Sequence, residues 1–243
     1  MQTWGLTDPG NIRQQNQDSY AIVPFGRDRV LMIVCDGMGG AKSGNVASSL
    51  AVEVFTDEVR RTQRPGMTPE RAAAMLRSAL ELANRAVYEQ SQLSEDFTGM
   101  GTTLVAAFLS RDLAVIINVG DSRAYHFTRE DVSLVTRDHS MVAYMVERGE
   151  LTQEQAKLHP GKNVITRAVG TEPEVEGDVF ICKLRKEECI LLCSDGLSNE
   201  MADQEMLFEV VHGMSKSDCC QRLLHIAKKR GAPDNVTVAL AAV

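Results

Sequence analysis

The sequence predicts an α+β fold in which two antiparallel β-sheets pack together with α-helices outside them. Three observations lead there. Strand-like runs are grouped with strand-like runs and helical blocks with helical blocks, without the alternation of parallel βαβ units. Several runs, among them VLMIVC, LAVIINVG, CILLCS and VTVALAAV, are rich in Val, Ile and Leu, as buried strands are. The chain has 243 residues, 44% of them hydrophobic, enough for a sizeable core, and no repeat, low-complexity tract or linker divides it. Residues 1–243 are therefore read as a single domain.

Strand-like runs open the chain at 2–7, 18–24 and 29–35. A helix over about 43–63 follows, with Ser43 as N-cap. A second long helix starts at Thr68-Pro69, a capping residue followed by proline at the first helical position, and runs to about 92. Its Leu76, Leu80, Ala83 and Val87 share one face, the stripe of a helix lying on a sheet. Strand candidates come next at 102–109, 112–119, 122–128 and 131–135. Residues 139–174 are polar and irregular, with two short helices, the second opened by a capping box from Thr152 to Gln155. This stretch reads as a flap over a site. Strands resume at 177–184 and 189–194, helices follow at 203–212 and 217–230, and a final strand ends the sequence.

Net charge of −7 argues against an electrostatic grip on nucleic acid. The two basic clusters, Arg60/Arg61/Arg64 and Lys228/Lys229/Arg230, each precede a Gly or Pro-Gly stop and read as cationic last turns of helices. No apolar stretch approaches the roughly 18 residues of a membrane span, and MQTWGLTDPG has no apolar signal core. None of the six cysteines forms a CxxC pair. Cys189 and Cys193 would stand about 13 Å apart in an extended strand, too far to share a metal. Buried thiols in a reducing compartment are expected, and the chain is placed in the cytoplasm with no membrane partner.

Four aspartates at the ends of the apolar runs carry the functional signal. Asp36-Gly37, Asp121 and Asp195-Gly196 each follow a run, whereas Asp234-Asn235 precedes one. If the last strand is antiparallel to the others, all four meet at one edge. Carboxylates gathered there repel one another unless a divalent cation neutralises them. Each has a plainer reading as a turn former, but four in one domain point to a metal site. The glycine after Asp36 lets its own carbonyl join the carboxylate as a ligand. Arg13, in Arg13-x-x-Asn16-Gln17-Asp18, has the planar fork that clamps a phosphate, although one terminal arginine alone is a weak signal.

In order along the chain stand RxxNQD, VxDGMGG, MGTTL (100–104), NVGDSRAY (118–125), LTRDHS (134–140), ITRAVG (165–170), LLCSDGLSN (191–199) and DNVTV (234–238). This series resembles the metal-dependent type 2C serine/threonine protein phosphatases, in their bacterial branch, across essentially the whole chain. The resemblance implies a four-layer αββα sandwich with two Mn²⁺ or Mg²⁺ ions at one edge. It implies that Asp36 bridges the ions, that the Gly37 carbonyl binds the first, and that Asp195 and Asp234 bind the second. Asp121, with Asp195, matches a weaker third-ion site; Arg13 matches the phosphate-binding arginine; Asp18 matches an acid behind the ligands that holds metal-bound water. The implied reaction is hydrolysis of phosphoserine and phosphothreonine in proteins by a metal-bridging hydroxide, with no phosphoenzyme. The implied partners are phosphorylated proteins and a Ser/Thr kinase whose work it opposes, and a monomer is expected. Two departures stand out. Met38 and Ala41 occupy positions where relatives carry histidine, so no general acid is assigned; His126 and His139 read as structural histidines. Two other readings are weighed: a pseudophosphatase binding module, which should have lost metal carboxylates that are all present here, and a metallohydrolase of small phosphate esters.

Overall fold

A computed structural model describes residues 1–39, 43–213 and 215–243. The reading of Ala41 therefore lies outside the described residues. In chain order come β1 (Gln2–Asp8), β2 (Asp18–Pro24), β3 (Arg29–Met38), α1 (Gly44–Thr62) and α2 (Pro69–Ser91), then a 3₁₀ turn (Glu95–Phe97). After it come β4 (Gly101–Thr102), β5 (Leu104–Ser110), β6 (Leu113–Val119), β7 (Arg123–Phe127) and β8 (Val132–Leu134). Two short helices follow, α3 (Met141–Glu147) and α4 (Gln153–Leu158), then β9 (Asp178–Lys183) and β10 (Cys189–Cys193). The chain continues through α5 (Asp195–Ser198), α6 (Asp203–Leu207), a π turn (Phe208–His212), α7 (Cys219–Lys229) and β11 (Val236–Ala242).

The strands form two sheets ordered β1-β11-β10-β7-β8 and β2-β3-β5-β6-β9, with β4 paired to the end of β3. All of these pairings are antiparallel. Because side chains alternate along a strand, each apolar run serves two layers. From β3, Leu31, Ile33 and Cys35 pack with Phe55 and Val59 of α1 and Leu76, Leu80 and Val87 of α2. The alternate residues Val30, Met32 and Val34 join the layer between the sheets. On the other sheet Leu191, Val238 and Leu240 face Met206, Val210 and Leu223 on the opposite outer side, while Ile190, Leu192, Ala239 and Ala241 face inward. Four layers result, helices–sheet–sheet–helices, as expected. Burial on both faces explains the nearly continuous apolar runs.

Local capping follows the sequence at α2 and α4, whereas the Ser43 side chain does not cap α1. Thr68 caps α2, accepting from the Arg71 N–H, with Pro69 at the first helical position. Thr152 Oγ1 accepts from Gln155 N (3.2 Å) while Gln155 Oε1 accepts from Thr152 N (2.8 Å), the reciprocal pair that opens α4. Arg60 and Arg61 lie in the last turn of α1, and Lys228 and Lys229 in that of α7. Two expectations are corrected. The strand expected over 102–109 is divided at Thr103, whose N–H and hydroxyl are both committed to Asp36. The helix expected over 203–212 is α-helical only to Leu207 and ends in the π turn. No described helix is long and apolar enough to cross a membrane.

Candidate metal centre

Strand register builds the site. Asp18 opens β2 directly opposite Asp36 in β3, so both carboxylates lie on one face of the sheet. Alternation from Val30, Met32 and Val34 puts that face toward the seam between the sheets. From the other sheet, the Ser194 and Thr237 hydroxyls reach across the seam and donate to Asp18 Oδ2 at 2.7 and 2.6 Å. Asp18 Oδ1 is buried and has no hydrogen-bond partner. Burial raises the Asp18 pKa to about 6; Asp195 and Asp234 add to the rise, and the two hydroxyls oppose it.

Asp36 is held through its backbone. Its carbonyl accepts from Thr103 N and Thr102 Oγ1, both at 2.9 Å, and its N–H donates to Thr103 Oγ1 at 2.9 Å. Burial, followed by the charges of Asp18, Asp195, Asp121 and Asp234, pushes its carboxyl far above the usual range. Gly37 comes next, and a Cβ there would lie 2.0 Å from the Gly44 carbonyl oxygen, so only glycine lets β3 and α1 meet so closely. Antiparallel order delivers the remaining acids to the same end. β6 runs in the direction of β3 and ends before Asp121, while β10 ends before Asp195 and its antiparallel neighbour β11 begins after Asp234.

Asp195 opens α5, where Oδ2 accepts from Asn199 Nδ2 (3.0 Å) and Oδ1 is buried without a partner. Burial first, then Asp234, raises its pKa. Asp121 sits in the turn after Gly120 (φ +101°), where burial and then Asp195 and Asp138 raise it to about 7. Asp234 accepts from the Asn235 N–H (2.9 Å) with Oδ1 and from Arg13 Nη2 (2.8 Å) with Oδ2. That ion pair raises the Arg13 pKa. Arg13 is more than half exposed, its side chain 56% accessible, so the guanidinium stays open to a ligand from solvent.

The two candidate histidines are engaged elsewhere. His139 Nδ1 accepts from the Gly120 N–H (3.1 Å), which leaves the proton on Nε2, 3.3 Å from Asp178 Oδ2. Burial lowers its pKa against the pull of Asp178. His126 Nε2 lies 2.8 Å from Glu188 Oε2, at the far end of β7 from Asp121. Met38, with no ionisable group, ends β3 opposite Gly101.

Among the described residues no three His, Cys, Asp or Glu side chains form a closed cation cage. The acids turn instead toward Arg13, Asn199, Ser194 and Thr237. Their character still fits divalent ions: two buried carboxylate oxygens without partners, and acids from two sheets that raise one another's pKa values. An all-oxygen set of this kind suits hard ions such as Mg²⁺ or Mn²⁺.

The sequence profile of the family described as protein phosphatase 2C matches residues 12–229. The chain belongs to the protein phosphatase 2C family. It is 37% identical over 234 residues to the serine/threonine phosphatase stp of Listeria welshimeri, spanning 96% of this chain and 92% of that one. It is 34% identical over 235 residues to the protein phosphatase PhpP of Streptococcus pneumoniae, spanning 97% and 94%. Among solved structures, Stp1 of Staphylococcus aureus superposes with a TM-score of 0.92 at 35% identity, covering 99% of this chain and 94% of that one. The catalytic domain of PstP in complex with two manganese ions gives 0.86 at 31% identity, covering 99% and 97%.

For this protein phosphatase 2C member, sequence reasoning missed the residues that hold the acids in place. Asn235 Oδ1 accepts from Gln17 N (2.8 Å), and its Nδ2 donates to Pro9 O (3.0 Å) and Gln15 O (2.9 Å), pinning the segment that carries Arg13. Ser194, just past β10, and Thr237, inside β11, gave no signal of their own, and only the packing of the two sheets sets their hydroxyls on Asp18. The pairing of β2 with β3, which sets Asp18 opposite Asp36, has no local signal either.

Proposed function

We propose that the protein is a metal-dependent phosphatase that removes phosphate from phosphoserine and phosphothreonine in proteins. The observation that carries this is the gathering of acids from both sheets at one seam, beside an exposed arginine. Asp36 is assigned as the carboxylate shared by two divalent ions, the Gly37 carbonyl as a ligand of the first, and Asp195 and Asp234 as ligands of the second. Asp121 with Asp195 is assigned a weaker third ion, and Asp18 is assigned to hold coordinated water. Mn²⁺ is the favoured ion, because a related PstP structure contains two manganese ions, and Mg²⁺ is the alternative.

When bound, such ions supply Lewis-acid chemistry: acidified water as nucleophile and charge neutralisation at a phosphoryl group. The chain's own groups do the positioning. Arg13, already at the rim and paired with Asp234, can swing its fork to two phosphoryl oxygens, and the Asn235 clamp fixes the segment from which it projects. His139 is committed to Gly120 and Asp178, so neither it nor Met38 is assigned proton transfer to the leaving group. Residues 1–243 form one catalytic domain, with 139–174 as a flap over the entrance. Phosphorylated proteins, and the Ser/Thr kinase that makes them, are the proposed partners of a cytoplasmic monomer. The six unpaired cysteines agree with a reducing compartment.

The deciding experiment is hydrolysis of p-nitrophenyl phosphate and a phosphothreonine peptide in Mn²⁺, Mg²⁺ or EDTA, with Asp36→Asn alongside. Turnover that needs the ion and vanishes in the variant supports the proposal. A folded wild type inert on both substrates with either ion moves the assignment to a binding module.

A further inference from the structure

Helix α2 presents an apolar face to the sheet, with Leu76, Leu80, Ala83 and Val87 buried. One polar residue interrupts it: Asn84 is only 1% exposed. A buried amide is costly unless its groups are bonded, and this one is bonded far along the chain. Its Oδ1 accepts from the Gly170 N–H at 2.7 Å, and its Nδ2 donates to the carbonyls of Glu172 and Pro173, both at 3.1 Å. The same segment is pressed onto the helix one turn further on. Gly170 has φ +86°, and a Cβ there would lie 2.1 Å from Val87 Cγ1.

The other side of this segment faces the metal centre. Val169 and Thr102 exchange two backbone hydrogen bonds, 2.8 and 3.0 Å, and Thr102 Oγ1 donates to the Asp36 carbonyl at 2.9 Å. Thr102 is also the register partner of Gly37. By contrast, the contacts of Ser140, Met141 and Thr166 run between the two ends of the 139–174 stretch: Met141 N donates to Val164 O (2.8 Å) and Thr166 N to His139 O (2.8 Å). Residues 168–173 therefore form the root through which this stretch is tied to a helix of the body.

We infer that Asn84 is a positioning residue: it anchors the 168–173 root to α2 and, through the Val169–Thr102 bridge, steadies the Asp36–Gly37 corner. The inference rests on the metal-centre reading for its effect on the ions, but the anchoring itself does not. Loss of Asn84 frees three backbone groups at the root and leaves the Val169–Thr102 bridge without its anchor on α2.

The test compares wild type, Asn84→Ala and Asn84→Asp. Asn84→Asp keeps size and the acceptor for Gly170 while turning the two donated bonds into repulsive contacts, so it decides the matter if the alanine variant does not fold. Amide hydrogen exchange in EDTA should accelerate at least about tenfold at Val169, Gly170 and Thr102, with the β10–β11 ladder unchanged, because the opening is local. Calorimetric Mn²⁺ affinity should fall roughly threefold to tenfold. The phosphopeptide KM should rise several-fold while kcat at saturating Mn²⁺ stays within about twofold, since Asn84 touches no reacting atom. Unchanged exchange at the root, or acceleration spread evenly over both sheets, would overturn the inference. A wild type that binds no Mn²⁺ and turns over no phosphoester would instead sink the phosphatase reading, and the exchange data would still judge the anchor.

Discussion

Replacing Asp18 with asparagine should make the metal-free protein more stable and the enzyme worse. The carboxyl is buried, one oxygen takes two hydroxyl donors from the opposite sheet, and the other is buried without a hydrogen-bond partner. Its pKa rises from 3.8 to about 6. That difference of about 2 units corresponds to roughly 3 kcal/mol of penalty for the ionised form at neutral pH. The sign follows from proton uptake. A carboxyl whose folded pKa exceeds its unfolded one contributes stability fully below the unfolded value and loses it as pH rises through the folded one. The wild-type penalty is thus small near pH 4 and complete above about pH 7. Asparagine keeps an oxygen for Ser194 and Thr237 and turns an amide donor toward the acids. Urea unfolding in EDTA followed by circular dichroism should show Asp18→Asn more stable by about 1–3 kcal/mol at pH 7.5, a rise of several degrees in Tm. The gap should close toward pH 4. In Mn²⁺ the order should reverse in function, with ion affinity about tenfold lower, as for other residues behind metal ligands. A variant no more stable than wild type at pH 7.5, or a gap indifferent to pH, would refute the account of a strained buried acid.

Three further outcomes are expected. Asp36→Asn should abolish Mn²⁺-dependent turnover while the circular dichroism spectrum stays native, because its backbone bonds to Thr102 and Thr103 do not need the charge; substantial residual turnover would remove Asp36 from its central role. Arg13→Ala should raise the KM for phosphoester roughly tenfold or more and lower kcat, with calorimetric Mn²⁺ binding retained; equal loss of ion binding would show that Arg13 serves the ions and not the phosphate. Gly170→Ala should destabilise by at least about 2 kcal/mol in urea, since a Cβ would meet Val87 at 2.1 Å in a backbone conformation at φ +86°; a neutral result would mean that the root does not press on α2.

The order of strands and helices was legible because each apolar run ends in a turn residue that physical chemistry reads alike in any fold. VLMIVC before Asp36-Gly37 is an example. The aspartates were legible for the same reason, since an acid at the end of a buried strand must be placed somewhere. Partition of the strands between two sheets was not legible. Leu31 and Met32 look equivalent in the sequence, yet one packs on α1 and α2 and the other on the opposite sheet. Thr237 and Ser194 looked like ordinary strand residues until the seam put them on Asp18. Asn84 was hidden in a helical stripe because its partners lie 86 to 89 positions away. Long-range partners of single polar groups leave no periodic trace.

Five alanines, Ala107, Ala114, Ala124, Ala239 and Ala241, sit in the layer between the sheets among larger side chains such as Met32, Leu109 and Leu192. Asp18 and Asp36 stand on one sheet and Asp195 and Asp234 at the ends of strands in the other, so the side chains packed in this layer are the spacer between the two banks of acids. Swelling that spacer, for instance with Ala239→Leu, would part the two banks of carboxylates without touching any of them. Methyl groups deep in the sandwich in that sense help to set the spacing of acids they never touch.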